Sequence, residues 1–304
     1  MNLPNFYIPG AGKSGTSSLH EYLLQHPQVF MSRAKEPHYF SRSDYPNGLS
    51  EYAHLFADGK NHLYRGESST SYMVNPKAIE RIRSRARDPR FFFLLRNPVE
   101  RSLSHYWWLK GMGYESLSFQ DAFSADRQME PDFEKDFRDG FVRHYYYQMG
   151  CYSKWLEPFL NAFGKDAVCI LTTEQLYKTP LETLNLCAAF LNIEPFTEVV
   201  SEKKNKTMIL KHPTLYHWVA SLGWGDSPTR ILKSLIPARF QGTVSSWRRK
   251  MLDGLKEKMS SDESYSKPTE ELRRWVIEAY QEDVAILRNL TGMRFKEWEK
   301  DFPV

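Results

Sequence analysis

The sequence predicts an α/β fold, a mainly parallel sheet flanked by helices. Three observations point to it. Short aromatic and β-branched runs alternate with amphipathic segments of helical period. One run, "RFFFLL" at residues 90–95, is apolar without interruption, as in a strand buried on both faces. The first run, "PNFYI" at 4–8, leads through a glycine-rich turn straight into a helical pattern, "SSLHEYLLQHP".

The elements follow in order. Leu19, Tyr22 and Leu23 recur at helical spacing after the first turn, and Pro27 marks the exit. "HLYRGE" at 62–67 reads as a second strand, and "NPKAIERIRSRARDP" as a helix between Pro76 and Pro89. After the "RFFFLL" strand, "PVERSLSHYWWLK" reads as a helix with Pro98 in its first turn. "YSKWLEPFLNAF" is a further amphipathic helix, "AVCILTTEQL" from 167 a fourth strand, and "PLETLNLCAAFLNI" a strongly periodic helix. The pattern weakens after residue 200. A long helix closes the chain, with Thr269 as its N-cap and Gly292 just past its end. No repeat or linker forces a boundary, so residues 1–304 are expected to form one domain.

Composition narrows the class. Of 304 residues, 41% are hydrophobic and 26% charged, which is ordinary for a soluble globular protein. A net charge of +4 suits an anionic ligand in a cleft better than a surface that coats nucleic acid. Three widely spaced cysteines, Cys151, Cys169 and Cys187, have neither metal-ligand spacing nor the even count of a disulfide framework. They suit a reducing compartment. No signal peptide or long apolar run is present, so a cytoplasmic protein without an integral membrane segment is expected.

The stretch "GAGKSGTSS" at 10–18 decides the chemistry. A nucleoside-triphosphate loop of the form G-x-x-x-x-G-K-[ST] would need glycine at position 7, which is Tyr7. Here the lysine comes early, and Gly15, Thr16, Ser17 and Ser18 carry the loop into the helix. Free N–H groups and the helix dipole can still hold a phosphate there. The strand that would end in a Mg²⁺-binding aspartate ends instead in Arg96, which repels a metal cation and attracts a second phosphate. Arg96 can form a charge-assisted fork to that phosphate, and Ser104, eight residues on, can add a hydroxyl.

On these residues the chain resembles the sulfotransferases that use 3′-phosphoadenosine 5′-phosphosulfate (PAPS). Lys13-Ser14-Gly15-Thr16-Ser17-Ser18-Leu19 resembles their 5′-phosphosulfate loop, and "LLRNPVERSLSHY" resembles their 3′-phosphate motif. Glu36-Pro37-His38-Tyr39-Phe40 is similar to the catalytic strip of the heparan sulfate 3-O-sulfotransferases and related carbohydrate sulfotransferases. "GESSTSYMVNPKAIERI" is similar to their segment around an acceptor-side Glu and Tyr, here Glu67 and Tyr72. Two positions depart from that family: Ser41 stands where Asp is usual, and Ser68 where Lys is usual. Both departures bear on heparan specificity and leave the transfer chemistry untouched.

The resemblance implies a P-loop-like sulfotransferase fold and in-line sulfuryl transfer from PAPS to an acceptor hydroxyl, releasing 3′-phosphoadenosine 5′-phosphate (PAP). No metal is implied. Glu36 is the implied general base, Lys13 neutralises the leaving oxygen, and His38 orients Glu36 or the acceptor. Lys13, Ser14, Gly15, Thr16, Ser17 and Ser18 would bind the 5′ side, and Arg96 and Ser104 the 3′-phosphate. The basic stretch "KKNKTMILKHP" is expected to close over the 3′ side with Lys206 or Lys211. Lys35, Glu67 and Tyr72 are expected on the acceptor side, with Trp107, Trp108 or Tyr145 as stacking platforms. The acceptor is a small molecule or oligosaccharide: a carbohydrate, glycolipid or natural-product hydroxyl. Arg81, Arg83, Arg85 and Arg87 read as a solvated helix face, and no nucleic-acid role is assigned to them. Two rival readings are a P-loop small-molecule kinase and a non-catalytic nucleotide-binding relative.

Overall fold

The computed structural model describes residues 3–131, 144–200, 209–210, 254, 260–261 and 267–304. The chain falls into two compact units. One comprises Met1–Ser104, Phe119–Lys204 and Pro268–Val304; the other comprises His105–Ser118 and Asn205–Lys267. The second unit contains a two-stranded antiparallel pair, Ile209–Leu210 with Ser260–Ser261.

The first unit is built on a five-stranded parallel sheet: β1 (Phe6–Gly10), β2 (Val29–Met31), β3 (Tyr64–Ser68), β4 (Arg90–Leu95) and β5 (Val168–Thr172), in the order β2-β3-β1-β4-β5. Helices α1 (Thr16–Leu23), α2 (Leu49–His54) and α3 (Pro76–Arg85) precede β4; α4 (Pro98–Gly111) follows it, its residues from His105 on belonging to the second unit. Then come α5 (Phe119–Gln128), α6 (Tyr152–Phe163), α7 (Thr173–Lys178), α8 (Pro180–Leu191) and α9 (Glu270–Thr291).

The fold class is the one the sequence predicts, and the differences are local. β2 has three residues, too few to show a period of two. The run "AVCILTTEQL" is two elements. Thr172 ends β5 and caps α7: its hydroxyl accepts from Gln175 N–H while the Gln175 side chain reaches back to the Thr172 N–H. The long terminal helix starts and stops where its caps say. Thr269 Oγ1 accepts from Leu272 N–H, and Gly292 leaves the helix at φ 72°.

β4 shows why an uninterrupted apolar strand was needed. Phe92 and Leu94 join Phe6, Ile8, Leu19, Leu23, Leu171 and Leu184 in the core on one face. Phe91 and Phe93 point to the other face, where both rings pack on Phe159 of α6 at 5.0–5.3 Å between centroids. The sheet interior has little slack. A Cβ on Gly66 of β3 would lie 2.0 Å from Cζ of Phe6. Gly66→Ala is therefore expected to destabilise the unit by about 1–3 kcal/mol, the usual cost of overpacking. A lowered urea midpoint with unchanged slope would show it; an unchanged midpoint would contradict the packing described here.

Candidate active site

The site forms where two strand ends meet. The connection leaving β1 runs toward β2, and the one leaving β4 runs toward β5, so a crevice opens between their carboxyl ends, the usual ligand position in open α/β sheets. The β1 turn lines one side. Lys13 and Gly15 take left-handed backbone at φ 70° and 87°, which turns the chain sharply into α1. No side chain caps α1 and its first turn carries no acidic residue; the Ser18 N–H donates to the Gly15 carbonyl at 2.9 Å, which leaves the N–H groups ahead of it, on Thr16 and Ser17, to face an anion. Arg96 follows β4 directly and its guanidinium reaches to 3.5 Å from the Lys13 carbonyl. Lys13 and Arg96, far apart in sequence, thus share one end of the sheet. Ser104 lies further along α4 and is partly exposed.

Ser14 does not face this crevice. Its N–H donates to the Ala11 carbonyl, its own carbonyl accepts from Thr173 Oγ1 at 2.6 Å, and its side chain is fully buried. The expectation of a phosphate ligand at Ser14 is corrected: with both backbone groups engaged and the hydroxyl enclosed, Ser14 braces the loop from behind. Thr16 is also buried, whereas Ser17 and Ser18 are partly exposed.

The segment after β2 brings the acid–base groups to the same end. Lys35 Nζ donates to Ser17 Oγ in the first turn of α1. Burial pulls the Lys35 ammonium below its ordinary pKa, opposed by the carboxylates of Glu36 and Glu21. Glu36 adopts φ 52°, its N–H bound to the Ser68 carbonyl at 2.9 Å. Its carboxylate accepts from Thr70 N–H at 2.8 Å and from Thr70 Oγ1 at 3.2 Å. Burial raises the Glu36 pKa; the Thr70 hydrogen bonds and Lys35 oppose that without cancelling it. A third of the side chain remains exposed, so an acceptor can reach it. A carboxylate held rigidly, made more basic by burial and still reachable is fitted to accept a proton.

His38 Nε2 lies 3.5 Å from Glu36 Oε2. Burial lowers its pKa to about 4, so at neutral pH it is an uncharged imidazole and the contact is not an ion pair. Arg81 holds this segment in place: its guanidinium donates to the carbonyls of Phe40 and Arg42 at 2.8 and 2.9 Å and lies 4.6 Å from the Tyr45 ring centre. Arg83 and Arg85 are exposed on α3 as the sequence suggested; Arg87 is exposed too but lies past the end of α3, and Arg81 is not part of that solvated face.

Glu67 and Tyr72 lie beneath the site. Both side chains are fully buried. The Glu67 carboxyl accepts from Tyr52 at 2.9 Å, from Ser69 at 2.7 Å and from Tyr72, and burial raises its pKa to about 7. An acceptor-contacting role was expected of these two residues; in the structure both side chains are enclosed and turned away from solvent. They set the position of the strip above, since the Tyr72 hydroxyl also accepts from Phe40 N–H at 3.2 Å. Tyr145 is buried as well, which corrects its expected role as a stacking platform. Trp107 and Trp108 lie on α4 in the second unit. Lys206 and Lys211 lie outside the described residues.

Further contacts complete the arrangement. Thr70 holds Glu36. Ser68, at the position that departs from the family pattern, binds buried His20 Nδ1 at 2.8 Å. Four consecutive hydroxyl residues, Ser68 to Ser71, starting at the end of a strand were the signal available for both. On the β4 side, Arg273 of α9 binds Glu100 at 2.7 Å and Asp301 at 2.6 Å, and Glu100 lies 3.8 Å from Arg96. Among the described residues no cluster of three or more His, Cys, Asp or Glu side chains is placed to hold a metal ion, and no helix is long and apolar enough to cross a membrane.

Known sulfotransferases are similar to this chain in sequence and fold. The chain is 41% identical over 115 residues to the membrane-associated sulfotransferase kil1 of Dictyostelium discoideum, covering 36% of this chain and 24% of that protein. It is 30% identical over 194 residues to mouse (Mus musculus) heparan sulfate glucosamine 3-O-sulfotransferase 3B1, covering 63% and 47%. The chain thus spans less than half the length of either relative. A solved sulfotransferase from Alicyclobacillus acidocaldarius superposes over 98% of this chain and 100% of its own with a TM-score of 0.65, at 24% identity, which establishes the shared fold. The sequence profile of the family described as "Sulfotransferase domain" matches residues 3–262, a span that takes in the β1 turn, the Glu36 segment and Arg96 together, and the chain belongs to the sulfotransferase family.

Proposed function

We propose that this protein is a PAPS-dependent sulfotransferase acting on a hydroxyl of a carbohydrate, glycolipid or natural product. One observation carries the reading: the β1 turn with Lys13, the strand-end Arg96, and the Thr70-held Glu36 converge on one end of the sheet. The residues fit a ligand with two separate anionic groups. The uncapped α1 start with Lys13 suits the 5′ side, and Arg96 with Ser104 suits a 3′-phosphate.

PAPS, when bound, supplies the sulfuryl group: the acceptor oxygen forms the new S–O bond as the bond from sulfur to the 5′-phosphate oxygen breaks and PAP leaves with that electron pair. Glu36 takes the proton of the acceptor hydroxyl. Lys13 and Lys35, flanking the first turn of α1, supply positive charge where the leaving oxygen becomes anionic. The rigid tether of Glu36 to Thr70 holds the base in place before reaction. We read residues 1–304 as a single sulfotransferase domain, supported by a family match that runs across both compact units. The described cysteines, Cys151, Cys169 and Cys187, are free thiols, which supports a reducing compartment such as the cytoplasm.

The test is transfer of ³⁵S from labelled PAPS to a panel of saccharide, glycolipid and phenolic acceptors without added metal. Labelled product that depends on this protein supports the reading. Mg²⁺-dependent transfer from ATP with none from PAPS favours a kinase, and neither activity favours a non-catalytic relative.

A finer expectation follows from Glu100. Its carboxylate competes with an incoming 3′-phosphate for Arg96, while Arg273 retains it. Glu100→Gln removes that competitor, so PAP is expected to bind about 2–5-fold tighter at low salt, in keeping with the modest worth of a half-exposed pair. Weaker PAP binding by calorimetry would show instead that Glu100 aims Arg96.

A further inference from the structure

Behind His38 lies a chain of hydroxyls that the reaction as described does not use. Ser71 Oγ is 2.7 Å from His38 Nδ1 and 2.6 Å from Ser41 Oγ. Both serines are buried, so neither can turn to water for a partner. We infer that Ser71, backed by Ser41, is a positioning residue that fixes His38 as the tautomer protonated on Nε2, so that the ring donates toward the Glu36 carboxylate. The inference rests on the reading of Glu36 as the base.

Counting hydrogens selects this arrangement. Each serine has one hydrogen to donate, and a neutral imidazole has one N–H and one lone pair. Suppose Ser41 donates to Ser71, Ser71 donates to Nδ1, and Nε2–H points to Glu36. Each hydroxyl and Nδ1 then has a partner, and Nε2–H faces the ionised Glu36 carboxylate across 3.5 Å, an attractive electrostatic contact. In the reverse arrangement Ser41 donates to the His38 carbonyl, 3.1 Å away, Ser71 donates to Ser41, and Nδ1–H donates to Ser71. The bare lone pair of Nε2 then faces Glu36 Oε2 at 3.5 Å. That contact is repulsive unless Glu36 is already protonated, the form that cannot act as a base. The His38 carbonyl loses nothing essential in the first arrangement, because it already accepts the Ser41 N–H at 3.0 Å. The depressed pKa of His38, about 4, keeps the ring neutral and the choice of tautomer meaningful at physiological pH.

Ser41 stands where the resembled family usually has Asp, and that difference bears on the device. A carboxylate there would accept from Ser71 and could not donate to it. A serine passes a hydrogen along the chain toward Nδ1.

The experiment combines ¹⁵N NMR of the His38 ring in the full-length protein with steady-state kinetics of Ser71→Ala and Ser71→Thr. The wild-type ring should show a protonated Nε2 and a bare Nδ1 at neutral pH. Ser71→Ala should erode that preference and lower kcat by about 10–100-fold, by analogy with the loss when the partner orienting a metal-bound imidazole is removed. PAP affinity should not change, and Ser71→Thr, which restores a hydroxyl, should recover most of the rate. A wild-type ring protonated on Nδ1 would overturn the inference, as would wild-type kcat in Ser71→Ala. If Ser71→Ala does not fold, Ser41→Ala serves: it should weaken the same tautomer preference, and an unchanged ring spectrum would overturn the inference. If the wild-type protein transfers no sulfate at all, the proposed activity fails, and the ring spectrum still decides the tautomer.

Discussion

Glu36→Gln is expected to lower kcat for sulfuryl transfer by about 10²–10⁴-fold, the usual contribution of a positioned base. Glutamine keeps the shape of the side chain and an oxygen to accept the Thr70 N–H, so the loop should stay in place and PAP affinity should not move. The pH dependence separates loss of a base from loss of structure. Burial, the largest influence on Glu36, raises its pKa, and only the ionised form accepts a proton. Wild-type activity should therefore rise with pH through an apparent pKa above the ordinary glutamate value. In Glu36→Gln that acid limb should vanish together with most of the rate. A glutamine variant retaining both rate and limb would assign the base elsewhere.

Arg96→Ala is expected to weaken PAP binding by about 10–100-fold, corresponding to the roughly 1.5–3 kcal/mol of a hydrogen bond to a charged group. The loss should be confined to ligands with a 3′-phosphate. Adenosine 5′-phosphosulfate, which lacks it, should bind wild type and variant with equal weakness. Equal losses for both ligands would mean that Arg96 braces the β1 turn through the Lys13 carbonyl rather than reading the 3′-phosphate. The long reach of that contact, 3.5 Å, makes the bracing role the weaker expectation.

Arg96 and Lys13 were legible in the sequence because each stands at a junction that local pattern marks. Arg96 interrupts an apolar strand at its end, and Lys13 interrupts a glycine turn before a helix. Strand β4, the capped helix α9 and the β1-turn-α1 unit were readable for the same reason: periodicity and caps are local signals. What surrounds Glu36 was not. Thr70 reaches Glu36, and Ser71 reaches its neighbour His38, each across a separation of more than thirty residues, and only the pairing of β2 with β3 brings them together. β2 itself carries too few residues to announce that pairing. Glu67 and Tyr72 show the converse failure. Their motif located the right segment, but the alternation along β3 and its turn sends both side chains inward, and a motif does not say which face a residue occupies. Arg81 likewise reads as one of four basic residues on a helix. Its orientation toward the carbonyls of Phe40 and Arg42 is a tertiary fact.

The C-terminal helix gains a role from the same geometry. Through Arg273 it fixes Glu100 and Asp301, and Asp301 accepts from Asn97, the residue next to Arg96. Arg273 and Asp301 thus set the platform for the anion site proposed near residue 96.

The central claim is tested most directly by titrating PAP into the protein by calorimetry in excess EDTA, with adenosine 5′-phosphate and ATP with Mg²⁺ as comparisons. Two separated anion sites predict saturable PAP binding that needs no metal and is weakened when the 3′-phosphate is absent. ATP binding that requires Mg²⁺, with no binding of PAP, would contradict it.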